Sequence, residues 1–123
     1  MLRTLFTSFA VLFAALAIAA APAPARFDGG VLVGPNGNTL YTFDKDPAGS
    51  GKSVCNDKCA GLWPPLMAAA DAQASGNFSV ISRDDGGKQW AWQGKPLYFW
   101  IKDQKAGDKT GDNVNNVWHV IKQ

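Results

Sequence analysis

From residue 26 onward, short apolar runs alternate with polar and glycine-rich breaks, and the runs follow a period of two. In "VLVGPNGNTLYTF", apolar runs flank Pro35-Asn36-Gly37-Asn38, and Asn-Gly between β-type runs predicts a hairpin. On its second strand Leu40 and Thr42 take one face, Tyr41 and Phe43 the other. "PAGSGKS" is a loop leading to "CNDKCAGLWPPL", which predicts a helical turn over Asp57 to Leu62, stopped by Pro64-Pro65. "LMAAADAQASG" is rich in helix-forming Leu, Met and Ala and ends at Gly76, so a short helix is expected there as well. Beyond Phe78, "FSVISR", "KQWAWQ" and "LYFWIK" alternate around the turns "DDGG" and "QGKP", predicting a three-stranded meander. Trp90 and Trp92 share a face of its middle strand, and Leu97, Phe99 and Ile101 oppose Tyr98 and Trp100 on the third. "NVWHVIK" closes the chain as a last strand. The expected class is mainly β, or a small α+β fold, built of antiparallel hairpins and a meander with a short helical insertion.

The pattern also repeats. "LYTFDKD" at residues 40–46 returns as "LYFWIKD" at 97–103, and an offset of 57 keeps Gly37/Gly94, Lys52/Lys109 and Asn56/Asn113 in step. Seven identities in twenty aligned positions exceed chance and point to two tandem copies, about 30–66 and 78–122. Each unit carries a turn, a strand with Tyr and a second aromatic on one face, and an Asp at the strand exit. A Gly-rich loop then returns to a Trp (Trp63 or Trp118). Asp46 and Asp103 are placed to accept backbone N–H groups and fix the loops that follow them. The functional reading of the same residues is a ligand or metal site made from two Tyr/Asp clusters.

Residues 1–25 change the picture of where the chain works. Arg3, the apolar run after it and Ala23-Pro24-Ala25 read as an export signal, cut after Ala25 or alternatively after Ala21. The apolar stretch is short and runs into Pro22 and Pro24, so no stable membrane insertion is expected after cleavage. That leaves one domain, 26–123, in the periplasm or outside the cell. From Arg26 it holds eleven Lys/Arg against ten Asp, a balance with no electrostatic case for nucleic acid. Every acid is Asp, which favours turns over helices.

Cys55 and Cys59 are the only cysteines, and in an exported chain an even count implies a disulfide. C-x-x-x-C is not the C-x-x-C of thioredoxin-like proteins, and no βαβ pattern surrounds it. His119 is the only imidazole, and no G-x-S-x-G exists, so no catalytic residues are assigned and no enzyme is expected. Cys55, Cys59, Met67 and His119 form a conceivable copper(I) set if the thiols are reduced, and His119 with Met67 could ligate haem. This gives the alternative reading, a periplasmic redox or copper/haem-handling protein; otherwise no metal or cofactor is expected. The Asp103–Asn115 loop is oxygen-rich, but Lys105 and Lys109 oppose calcium. Trp90 and Trp92 offer an aromatic face for a protein or cell-envelope component.

Taken together, "GNTLYTFDKD", "CNDKCAGLWPPL", "WAWQGKPLYFWIKD" and "VWHV" resemble the bacterial secreted-repeat family, often described as predicted lipoproteins with a Tyr-X-aromatic-X-X-Asp motif. The resemblance covers essentially all of 26–123. It implies motif residues Tyr41, Phe43 and Asp46 in one copy and Tyr98, Trp100 and Asp103 in the other. It also aligns Cys55, Cys59, Trp63, Pro64 and Pro65 with the family's C-x-x-x-C…W-P-P segment. No lipobox cysteine is present, so lipid anchoring does not carry over, and the family's own function is unknown.

Overall fold

A computed structural model describes residues 23–123; nearly all of the expected export signal lies outside the described residues. Among them no helix is long and apolar enough to cross a membrane. Ala25 is buried in the core, so a cut after Ala25 would remove a core methyl that a cut after Ala21 would keep.

The elements run β1 (Arg26–Asp28), β2 (Val31–Val33), β3 (Tyr41–Phe43), α1 (Lys58–Leu62), β4 (Met67–Ala68), β5 (Phe78–Ser82), β6 (Lys88–Trp92) and β7 (Lys95–Pro96). A 3-10 turn (Val114–Asn116) and β8 (Trp118–Val120) complete them. All strand pairs are antiparallel, in sheets of two, two and four strands. The described residues are therefore mainly β with one short helix, as the pattern implies, and that helix follows the first cysteine.

Two expected elements differ. The Ala-rich stretch is not helical: Met67–Ala68 is a strand on β6, and residues 69–77 are turn and coil, almost all exposed. Helix propensity offers only tenths of a kcal/mol per residue. Here it loses to sheet pairing, in which Leu66 N–H donates to Leu97 O (2.9 Å) and Leu66 O accepts from Trp90 (2.9 Å). "LYFWIK" is not a regular strand either. Phe99 and Ile101 donate to the carbonyls of Pro64 (2.7 Å) and Leu62 (3.1 Å). Pro64 and Pro65 have no N–H to return, so the ladder stays one-sided.

The duplication explains the topology. β8 pairs with β3, setting Phe43 opposite Trp118, and Ile121 O accepts from Leu32 (2.9 Å). The corresponding segment of the first copy, residues 62–68, lies on 98–101 and on β6. Each copy thus sends its return segment across to the other. At the centre Tyr41 and Tyr98 pair backbone to backbone, with N–H···O distances of 2.8 and 3.0 Å.

Two clusters form the core. One gathers Tyr41, Phe43, Cys55, Trp63, Tyr98, Trp100 and Trp118; the other gathers Ala25, Leu32, Leu40, Leu66, Phe78 and Leu97. Alternation along each motif strand sends the tyrosine to the first cluster and the preceding leucine to the second. Leu40 and Leu97 are fully buried, each worth about 1.5–3 kcal/mol.

Candidate functional site

The motif aromatics build a column. Phe43 stacks on Trp118 (4.2 Å between ring centroids), Trp118 on Trp63 (3.8 Å) and Trp63 on Trp100 (3.9 Å). Successive rings come from alternate copies. Tyr41 meets Trp63 edge-on at 5.5 Å, and Tyr98 meets Trp118 likewise at 5.1 Å. Each such pair contributes about 0.5–1.5 kcal/mol beyond burial. Gly111 leaves room for this packing, since a Cβ there would lie 2.9 Å from both Trp63 and Tyr41.

The motif polar groups are joined across the copies. Tyr41 OH donates to Asp103 Oδ2, and Tyr98 OH to Asp46 Oδ2, each at 2.5 Å. The second carboxylate oxygens hold the loops: Asp46 Oδ1 accepts from Val54 N–H (2.7 Å), and Asp103 Oδ1 from Thr110 N–H (3.0 Å) and Oγ1 (2.6 Å). Gly111 N–H donates to Tyr41 OH (3.2 Å), and Ser53 Oγ to Tyr98 OH (2.5 Å). Both tyrosines and Asp46 are almost completely buried. Burial, then the hydrogen bond to the carboxylate, pushes both phenol pKa values well above the ordinary value. These are neutral phenols held by carboxylates, with no accessible face for a ligand.

Sequence reading expected loop-fixing by the aspartates but missed their tyrosine partners, because nothing local marks a contact between copies. It also gave no role to Arg83, the last residue of the alternating run "FSVISR". Arg83 runs inward from the end of β5. Its Nη1 donates to Ser53 Oγ (3.1 Å) and Gln89 Oε1 (2.8 Å), its Nη2 to Cys55 O (2.7 Å) and Asn56 Oδ1 (3.2 Å). The one available signal was Gln89, an amide on the inward face of an alternating strand.

Cys55 and Cys59 form a disulfide, with Cα atoms 5.1 Å apart and Cys55 buried against the aromatic column. The other residues of the alternative metal set lie elsewhere. Met67 is exposed on β4, paired with Gln89. His119 is on β8, with Nε2 2.8 Å from Asp44 Oδ2 and Nδ1 3.2 Å from Asn113 Oδ1. Among the described residues no three His, Cys, Asp or Glu side chains converge as a metal-binding group. Trp90 and Trp92 share one face of β6, partly exposed, against Phe78 and Phe27.

Residues 24–67 and 79–122 each match the family described as a secreted repeat of unknown function. The chain belongs to this family. No curated protein and no solved structure matches it. Each secreted repeat holds one tyrosine and one aspartate of the cross-linked pairs, so neither repeat contains a complete pair of its own. The family description makes this an exported chain.

Proposed function

We propose that the chain is an exported, non-enzymatic binding domain, working in the periplasm or outside the cell, that engages a protein or cell-envelope component through the aromatic face of β5 and β6. The supporting observation is how the five tryptophans are divided. Trp63, Trp100 and Trp118 are buried in the column, while Trp90 and Trp92 stay partly open, side by side on one strand. Val80, across from Trp90, widens the strip, and the opposite face of β6 is closed by Gln89 and Ala91. Large rigid aromatics on a partly exposed face supply contact area at small entropic cost. The motif tyrosines and aspartates are occupied with one another, which favours a scaffold over a reactive site.

The test is co-sedimentation with isolated envelope of the exporting organism, comparing wild type with Trp90→Ala and Trp92→Ala. Near-ultraviolet circular dichroism verifies that each variant keeps its fold. Loss of sedimentation in folded variants is the expected result. Undiminished sedimentation would remove the aromatic face as the binding surface.

A further inference from the structure

A cleft of about 370 Å³ opens between the β5–β6 turn and the cystine loop, lined by Asn56, Asp57, Ala60, Arg83, Asp84 and Asp85. It lies on the other side of the sheet from the tryptophan strip: Arg83 bonds to Gln89, which faces away from Trp90 and Trp92.

Arg83 is only 5% exposed, and four hydrogen bonds occupy its two terminal nitrogens. Its Nε is buried with no hydrogen-bond partner. That edge of the guanidinium turns toward Asp85, a wall of the cleft, whose Oδ2 stands 3.9 Å away and so outside hydrogen-bond reach. A buried donor of a charged group left unmade is costly, and native proteins seldom keep one without a use. Around it stand the carboxylates of Asp57, Asp84 and Asp85, all on exposed residues, with Asn56 Nδ2 donating to Asp84 Oδ2 at 3.3 Å. Three carboxylates outweigh one guanidinium already engaged internally. The complementary ligand therefore carries a cation for the rim and an oxygen acceptor for the floor.

The duplicated fold does not require this arrangement. In the first repeat the turn between β1 and β2 is only Gly29-Gly30 and carries no counterpart of Arg83. The segment corresponding to the cystine loop, residues 112–116, has no cysteine. The cleft draws Asn56, Asp57 and Ala60 from the first repeat and Arg83, Asp84 and Asp85 from the second, and the reciprocal segments, the Gly29-Gly30 turn and residues 112–116, lack its arginine and its cystine.

We propose that this cleft binds a basic residue of a peptide, its ammonium or guanidinium group held by Asp57 and Asp84 and its carbonyl oxygen accepting the Arg83 Nε–H. The ligand class follows from the pairing of acidic rim and single buried donor. A bare cation has no use for the donor, and an anion is repelled by the rim.

The experiment is a titration of the oxidised, 15N-labelled protein, following the Arg83 Nε–H and Asn56 side-chain amide signals by NMR. The probes are Nα-acetyl-lysine methylamide, the arginine equivalent, the neutral norleucine equivalent and calcium chloride. Saturable shifts at Arg83 Nε–H are expected with at least one basic probe and not with norleucine. Asp57→Asn and Asp84→Asn should each weaken binding about two- to fivefold while the Arg83 signal shows an intact fold. Absence of a saturable shift, equal shifts with norleucine, or wild-type affinity in both variants would overturn the proposal. So would shifts produced by calcium alone, or shifts confined to the Trp90 and Trp92 indoles, which would belong to the aromatic face.

Discussion

The hydroxyl of Tyr41 donates to the carboxylate of Asp103, 62 residues further along the chain and in the other repeat. Tyr98 and Asp46 make the same bond in the opposite sense, 52 residues apart. With the two tyrosine backbones also paired to each other, the duplicated motif is a single joint viewed from its two sides. Its conspicuous residue types serve to lock the halves together in a domain too small to rely on a large apolar core.

Alkaline pH should open that joint. Both phenols have folded-state pKa values raised above the ordinary tyrosine value of about 10, chiefly by burial. The folded state therefore holds these protons more tightly than the unfolded state. Their contribution to stability is fully present below about pH 10 and falls as pH rises beyond it. The chain has only these two tyrosines. Tyrosinate absorbance should thus appear together with loss of the circular dichroism signal, and smooth titration near pH 10 in a folded protein would contradict this.

Removing one hydroxyl should be expensive. Tyr98→Phe leaves Asp46 Oδ2 and Ser53 Oγ each short of a buried partner. A loss of about 1.5–3 kcal/mol is expected from urea unfolding. Asp46→Asn combined with Tyr98→Phe should cost less than the sum of the single changes, because both act on one bond. Strict additivity would show that the bond contributes nothing of its own.

Two glycine substitutions should move stability in opposite directions. Gly111→Ala drives a methyl into Trp63 and Tyr41 and should destabilise by about 1–3 kcal/mol. Gly61→Ala lies within α1 with open space around the new methyl, and should stabilise by about 0.5–1 kcal/mol. Melting temperatures of the two variants settle both signs.

Reduction of Cys55–Cys59 should soften the domain without dissolving it. A ring this small restricts the unfolded chain by about 2 kcal/mol. Urea midpoints with and without reductant measure the difference. Unfolding on reduction alone would mean that the bridge, rather than the aromatic column, holds the fold.

Cleavage of the connector should be tolerated. Residues 69–77 join the repeats and are almost entirely exposed. A protease site placed there should yield two fragments that still co-elute in size-exclusion chromatography, because each half supplies the other with a strand. Separation into free halves would contradict the crossed topology.

What could be read from the sequence was what is written locally. Asn36-Gly37 marked a turn, alternation marked β5 and β6, and Pro64-Pro65 marked the stop of α1, each within a few residues. Pairings such as Tyr41 with Asp103 and Phe43 with Trp118 depend on how two distant copies meet, and no window along the chain carries that information. The repeat itself was legible, but not that its arms cross. The Ala-rich stretch misled because weak propensity gave way to sheet hydrogen bonds. Arg83 was hidden for a related reason: it closes the alternating run "FSVISR", and nothing in that run shows that Gln89 and Ser53 come to lie against its guanidinium.

The crossed return segments also set a rule of parity. A repeat of this kind ends in a strand that completes its neighbour, and begins with a hairpin and motif strand that wait for the neighbour's strand in turn. Two repeats close on each other and leave nothing over. With the first two closed on each other as here, a third added in series would carry one unmet donor strand and one unmet acceptor until a fourth repeat, or a repeat of another chain, met them.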